Sequence, residues 1–216
     1  MPRNPMCQPL SMAILWSVSN KALLGRIQDA FKAIDEVHGD GQLPRIEVVD
    51  FKPVRGVDTM GGYHKCRISV SSAVRAPMLV TVHEVAHMLA DHVFRPRNPA
   101  APFAPDSDLI CPEFRVWWVA IKSSKAYRML DERLLRLGVP ERETEQEASD
   151  LHYLRSSEEL WARSYSQFVA VTSSNAQLKA EFIKARAQSE FEYWSDRDFS
   201  VILSSMDSIL KARGWR

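Results

Sequence analysis

Residues Pro77–Phe94 read PMLVTVHEVAHMLADHVF, and the rest of the chain is organised around them. Proline suits a first helical turn, and no further proline or glycine interrupts the eighteen residues, so the spacing predicts one helix over 77–94. On a helical wheel Met78, Leu79, Val82, Ala86, Leu89 and Val93 form one apolar arc, with Val85 at its margin. Val80, His83, Glu84, His87 and Asp91 form the neighbouring arc. An apolar stripe beside a polar one is what a helix needs to face a core and a site at once. The polar stripe carries His83-Glu84-Val85-Ala86-His87, the pattern H-E-x-x-H. One helical turn between the histidines sets both imidazoles on one face, where they can hold a single Zn²⁺. Glu84 lies about 100° round the helix from His83, placed to take a proton from a water at that metal without ligating it.

Upstream, Pro2, Pro5 and Pro9 mark an irregular arm. From Ser19 or Asn20, Leu23, Leu24, Ile27, Ala30, Phe31 and Ile34 recur at helical spacing until Gly39 and Gly41 stop them. Ile46–Phe51 is β-branched and ends before Pro53, which predicts a strand. Gly61-Gly62 reads as a turn. The next segment alternates: Cys66, Ile68 and Val70 point one way, and Arg67, Ser69 and Ser71 the other. That is a half-buried strand, antiparallel or at a sheet edge.

Downstream, 95–112 holds five of the twelve prolines and reads as a lid or linker. Beyond it the pattern predicts helices at 113–137, 142–153, 157–172, 176–194 and 198–213. The expected organisation is one domain over 1–216: an α+β lobe at about 20–94, the loop 95–112, and a helical lobe over 113–216. No internal repeat is visible.

Composition narrows the class. The 216 residues are 45% hydrophobic and 25% charged, which fits a globular protein able to bury its own core. A formal net charge of +1 and the lack of a basic-aromatic stripe argue against a nucleic-acid partner. No run of 18 apolar residues predicts a membrane span, and Met12–Trp16 is too short for a secretory core. Cys7, Cys66 and Cys111 are odd in number and match no metal knuckle, so a cytoplasmic location is expected. One disulfide plus a free thiol stays open as the alternative.

The stretch from Gly61 through the 66–71 strand and Pro77 to His92 resembles the zincin metallopeptidases. The resemblance implies an α+β fold with a small mixed sheet whose edge strand lies over the H-E-x-x-H helix, followed by a mainly helical C-terminal lobe. It also implies that the 66–71 strand holds an extended peptide by strand addition. A catalytic zinc has three protein ligands, and the family places the third on a second helix. In the branch H-E-x-x-H-x-x-G-x-x-H the third is a histidine, but positions 90 and 93 here are Ala90 and Val93. His92 is one residue out of register and reads as a helix-end histidine. Asp91 reads equally as a partner for a ligand imidazole or as a solvated side chain.

The glutamate branch, the gluzincins, places a glutamate three residues before a small side chain. Glu159 with Ala162, and Ser166 a turn later, is similar to that pattern. Glu158, followed at that spacing by Trp161, is the alternative ligand. The competing reading of Glu159 is a capping box with Ser156, its carboxylate reaching back to a backbone amide. Glu158–Tyr165 and Trp194–Phe199 further resemble metallopeptidase-like proteins of bacteriophages and mobile elements. Tyr63, His64, His152, Tyr153, Arg163, Tyr165 and Tyr193 are candidates for steadying an oxyanion, whereas Trp117-Trp118 reads as packing.

These readings converge on a zinc-dependent metallopeptidase acting on a peptide or protein, with His83, His87 and Glu159 as ligands and Glu84 as general base. A host-directed toxin or effector protease is one variant of that reading. The rival is a non-catalytic binding or assembly protein, associated with phages or mobile elements, that recognises a peptide strand. An intact Glu84 argues against the rival, because a structural metal site needs no general base.

Overall fold

The computed structural model describes residues 21–43, 48–50, 61–64, 67–71, 73–94, 112–137, 145–189 and 191–216. The expected N-terminal arm, the three cysteines and 95–111 of the expected loop lie outside the described residues.

Among the described residues eight helices carry the structure: α1 (Lys21–His38), α2 (Pro77–Phe94), α3 (Pro112–Ser123), α4 (Lys125–Leu137), α5 (Glu145–Leu154), α6 (Ser157–Thr172), α7 (Ala176–Arg186) and α8 (Asp196–Ala212). Against them stand three strands of three, four and four residues: β1 (Val48–Asp50), β2 (Gly61–His64) and β3 (Arg67–Val70). The fold class is therefore corrected. The protein is mainly helical, and it is not the α+β zincin with a mixed-sheet lobe that the sequence suggested. The physical reason is size. Strands this short fall below the usual five or six residues and make a small patch, not a layer able to cover one face of a core. Helices bury most of the apolar surface against one another instead.

The strand expected at the sheet edge is also corrected. The order is β1-β3-β2, with Val49 opposite Ile68 in parallel and Tyr63 opposite Ile68 in antiparallel register. β3 is thus central, hydrogen-bonded on both sides, and cannot accept an added strand. Its alternation is real, since Ile68 and Val70 are fully buried. The glycine pair read as a turn opens β2.

The most extensive helix contact is α2 with α6, followed by α3 with α8 and α1 with α2. From Glu159 to Ala170 every residue of α6 is buried, so this helix is the axis of the molecule. Its Trp161 packs with Phe114 and Trp117 of α3, ring against ring at 4.8–5.9 Å. Trp118 stacks beside Trp117, placing both as core residues. Helix α1 ends where the pattern predicts, with Gly39 at φ 57° and its amide bonded to the Asp35 carbonyl.

Two helix expectations fail for tertiary reasons. The single helix over 113–137 breaks at Ser124, whose hydroxyl bonds the Ile121 carbonyl and accepts from the Tyr127 amide and from Trp194 Nε1. The Lys125 amide meanwhile bonds the Asp198 carboxylate. The helix over 176–194 ends at Arg186, because the chain turns inward to bury Trp194. Gln167 grips both the amide and the carbonyl of Trp194 at 3.0 Å, in place of helical partners.

Where α1, α6 and the C-terminal tail meet sits a buried histidine. His38 bonds the Trp215 carbonyl through Nδ1 and the Tyr165 hydroxyl through Nε2, the latter at 2.7 Å. A carbonyl only accepts, so Nδ1 carries the proton and Nε2 accepts from the phenol. Burial, against the pull of the Trp215 carbonyl and with the aid of nearby Arg216, lowers the His38 pKa to about 4.

Candidate metal centre

Helix α2 begins on a cap borrowed from another element. Glu181 of α7 accepts hydrogen bonds from the Met78 and Leu79 amides, both at 3.0 Å, satisfying donors that a helix start leaves open. Glu181 is 8% exposed, and burial raises its pKa although both bonds oppose this. Sequence reading offered no signal for this contact between residues a hundred positions apart. The cap fixes the first turn, and the turns that follow present His83, Glu84 and His87.

The second half of the site comes from α6. Ser156 is its N-cap, its hydroxyl accepting from the Glu159 amide at 3.3 Å. Only half of the expected capping box forms. The Glu159 carboxylate turns away from the backbone and toward the two histidines. Glu158 points elsewhere, accepting from the Ser157 hydroxyl at 3.1 Å. The fully buried Ala162 is the small residue expected one turn after Glu159.

His83, His87 and Glu159 thereby come together and can hold a metal ion, with ligand atoms all within 4.8 Å of one another. The two imidazole Nε2 atoms are 3.0 Å apart, and Glu159 Oε2 lies 3.3 Å from one and 3.5 Å from the other. Ligand bonds of roughly 2.0–2.1 Å at tetrahedral angles require donor spacings of about 3.3–3.4 Å, so the triangle fits a small divalent ion. The polar bookkeeping agrees. Glu159 Oε2 and Glu84 Oε2 are buried with no hydrogen-bond partner among the described residues. Buried carboxylate oxygens left in that state are costly unless a cation or water completes them. The histidine side chains remain 19% and 18% exposed, leaving an approach from solvent.

Charge is concentrated here. Burial opposes ionisation of Glu159, but His83, His87 and Arg163 outweigh it and hold its pKa well below the usual carboxylate value. Burial likewise lowers His83, and the Glu159 charge overcomes that to raise it. Glu84, 5% exposed, is shifted the other way: burial and the negative Glu159 raise its pKa against the pull of the two histidines. A carboxylate made more basic is suited to accepting a proton near neutral pH.

Gly61 explains how Glu84 fits. A Cβ there would lie 2.7 Å from Glu84 Oε1 and from Val80 Cγ1. The missing side chain is the space the glutamate occupies, a close approach that sequence reading took for a turn.

The oxyanion candidates separate clearly. Tyr153, at the end of α5, is 58% exposed yet interacts with Glu159; partial burial, then that charge, raises its phenol pKa. His152 is exposed. Tyr165 is consumed by His38. Tyr193 packs edge-on against Phe182, and burial raises its pKa. Arg163 is buried against main-chain carbonyls and does not face solvent. The side chains of Tyr63, His64, Asp91 and His92 lie outside the described residues.

Cavities among the described residues lie elsewhere. One of about 560 Å³ runs between α3 and α8 past Val116, Val119 and Val201. One of about 370 Å³ is lined by Met129, Arg133, Glu147 and Phe191. No residue of the histidine–glutamate cluster lines either. No helix among the described residues is long and apolar enough to cross a membrane. No family model, curated protein or solved structure matches the chain.

Proposed function

We propose that this protein is a zinc-dependent metallopeptidase, holding the ion with His83, His87 and Glu159 and using Glu84 as general base. The observation that carries the reading is the donor triangle, with edges of 3.0, 3.3 and 3.5 Å, beside a buried carboxylate that ligates nothing. Two imidazole nitrogens and one carboxylate oxygen are a donor set suited to zinc, and they leave a fourth position open. Bound there, zinc supplies Lewis acidity toward a peptide carbonyl and toward the attacking water.

The protein's own groups then divide the work. Glu84 Oε2, buried and without a partner, takes the proton of the water as it attacks the carbonyl carbon, and delivers it to the departing amide nitrogen. To the exposed Tyr153, whose hydroxyl interacts with Glu159, we assign donation to the oxygen on which negative charge develops. The half-open histidine edges admit an extended peptide from solvent. The resemblance to gluzincins supports this reading through the motif and the ligand set.

The test is Glu84→Gln, compared with wild type for zinc content after exhaustive dialysis and for hydrolysis of a peptide library. About one zinc per chain is expected in both, with hydrolysis falling at least ~100-fold in the variant. Zinc without any hydrolysis that depends on Glu84 would move the protein to the non-catalytic binding class. Wild-type protein that keeps no zinc, even after reconstitution, would overturn the metal centre.

A further inference from the structure

Resting on that metal centre, we propose that Arg163 is its positioning residue, holding the Glu159 carboxylate so that Oε2 alone is offered to the ion. Arg163 is 2% exposed, one helical turn after Glu159. A guanidinium keeps its charge under any folding condition, so burial obliges the fold to surround it with acceptors. Three segments do so. Nη1 donates to the Phe191 and Glu192 carbonyls at 3.1 and 3.0 Å, and Nη2 donates to the Leu154 carbonyl. Nε donates to the Glu159 carbonyl at 3.4 Å and lies 3.5 Å from Glu159 Oε1.

Clamped by the end of α5 and the turn after α7, the guanidinium cannot follow the glutamate; the glutamate must conform to it. The two carboxylate oxygens therefore have different owners. Oε1 is the oxygen paired with the Arg163 charge at 3.5 Å, and Oε2 faces the histidine nitrogens. A carboxylate held this way gives one oxygen to a metal, which suits four-coordinate zinc. It resists the two-oxygen grip that larger, oxygen-seeking ions use. Arg163 thus acts on metal affinity and coordination number through Glu159, without touching the ion.

The experiment uses the full chain with cobalt(II) as the probe. Affinity is read by chelator competition and coordination by the visible ligand-field absorption, for wild type, Arg163→Lys, Arg163→Gln, Glu159→Gln and the double variant Arg163→Lys/Glu159→Gln. Wild type is expected to take up one cobalt with the intense absorption of a tetrahedral site. The Arg163 variants should bind roughly 10–100-fold more weakly, with the weaker absorption of a higher coordination number. In the Glu159→Gln background, Arg163→Lys should change affinity by less than about twofold, because the path through the carboxylate is gone. Should Arg163→Gln fail to fold, the lysine variants carry the test, since they retain the charge. A folded Arg163→Lys with wild-type affinity and spectrum would overturn the proposal, as would an equal loss with and without Glu159, which marks a purely structural role. Wild type that binds no cobalt would overturn the metal centre itself.

Discussion

Acid should weaken this fold through one residue in particular, His38. Its ring is 1% exposed and bonded on both sides, to the Trp215 carbonyl and the Tyr165 hydroxyl. Protonating Nε2 would set a second donor inside a desolvated site, which is why the pKa is lowered from 6.5 to about 4. The sign follows from linkage. Between those values the unfolded chain binds a proton that the folded chain refuses, so stability is intact above about pH 6.5 and is lost as pH falls toward 4. A lowering from 6.5 to about 4 amounts to roughly 3 kcal/mol, a large share of a typical domain's stability.

Urea unfolding at half-unit steps from pH 4 to 7.5, in the presence of a chelator, measures this. Wild type is compared with His38→Gln, whose side chain does not titrate. The variant starts lower at pH 7 because it loses one or both hydrogen bonds. Every other titratable group is common to both proteins, so the difference between the two curves isolates His38. Wild type should lose about 3 kcal/mol more than the variant across the interval. Parallel curves would refute the reasoning, and would mean that the buried ring accepts its second proton at little cost.

Two further perturbations test the support of the site. Gly61→Ala forces a methyl to within 2.7 Å of Glu84 Oε1 and Val80 Cγ1; a stability loss of about 1–3 kcal/mol is expected, with zinc content kept and hydrolysis reduced, whereas unchanged hydrolysis would disconnect Gly61 from Glu84. Glu181→Ala leaves the Met78 and Leu79 amides without an acceptor; hydrogen exchange at those two amides should accelerate and stability should fall by about 1–3 kcal/mol, and unaltered exchange would show that the first turn of α2 holds without its cap.

The sequence was most informative where local rules and tertiary demands coincide. Pro77 at the first turn and an unbroken amphipathic run make α2 legible from end to end, and Ser156 does the same for the start of α6. The gathering of His83, His87 and Glu159 follows from spacing plus a small residue at position 162, which lets two helices approach closely. What was not legible came from distant partners. Nothing local marks Ser124 as a break, because the residues on both sides favour helix; Trp194 and Asp198, some seventy positions later, make it one. The early end of α7 belongs to Gln167 and Arg163 for the same reason. The strands misled in proportion. A clean alternation identifies a strand but not how many neighbours it has: the antiparallel pairing with β2 holds, whereas the edge position implied by the resemblance does not, since β3 lies in the middle of a patch too small to set the fold class. By pattern Glu159 read first as a ligand and second as half of a cap, and the position of α2 brings its carboxylate to the histidines.

Helix α6 carries the candidate acidic ligand, the arginine behind it and the centre of the hydrophobic core within sixteen residues, nearly all of them buried. Most catalysts keep chemistry on loops and stability in the scaffold, so that each can drift without disturbing the other. Here the two histories are tied together. A substitution that moves the Glu159 carboxylate also repacks the core, and one that firms the core shifts the carboxylate. Descent within such a lineage should run through paired replacements on α2 and α6. A catalyst engineered from this chain should gain new specificity more readily from residues bordering the open histidine edges than from the helix that holds the glutamate.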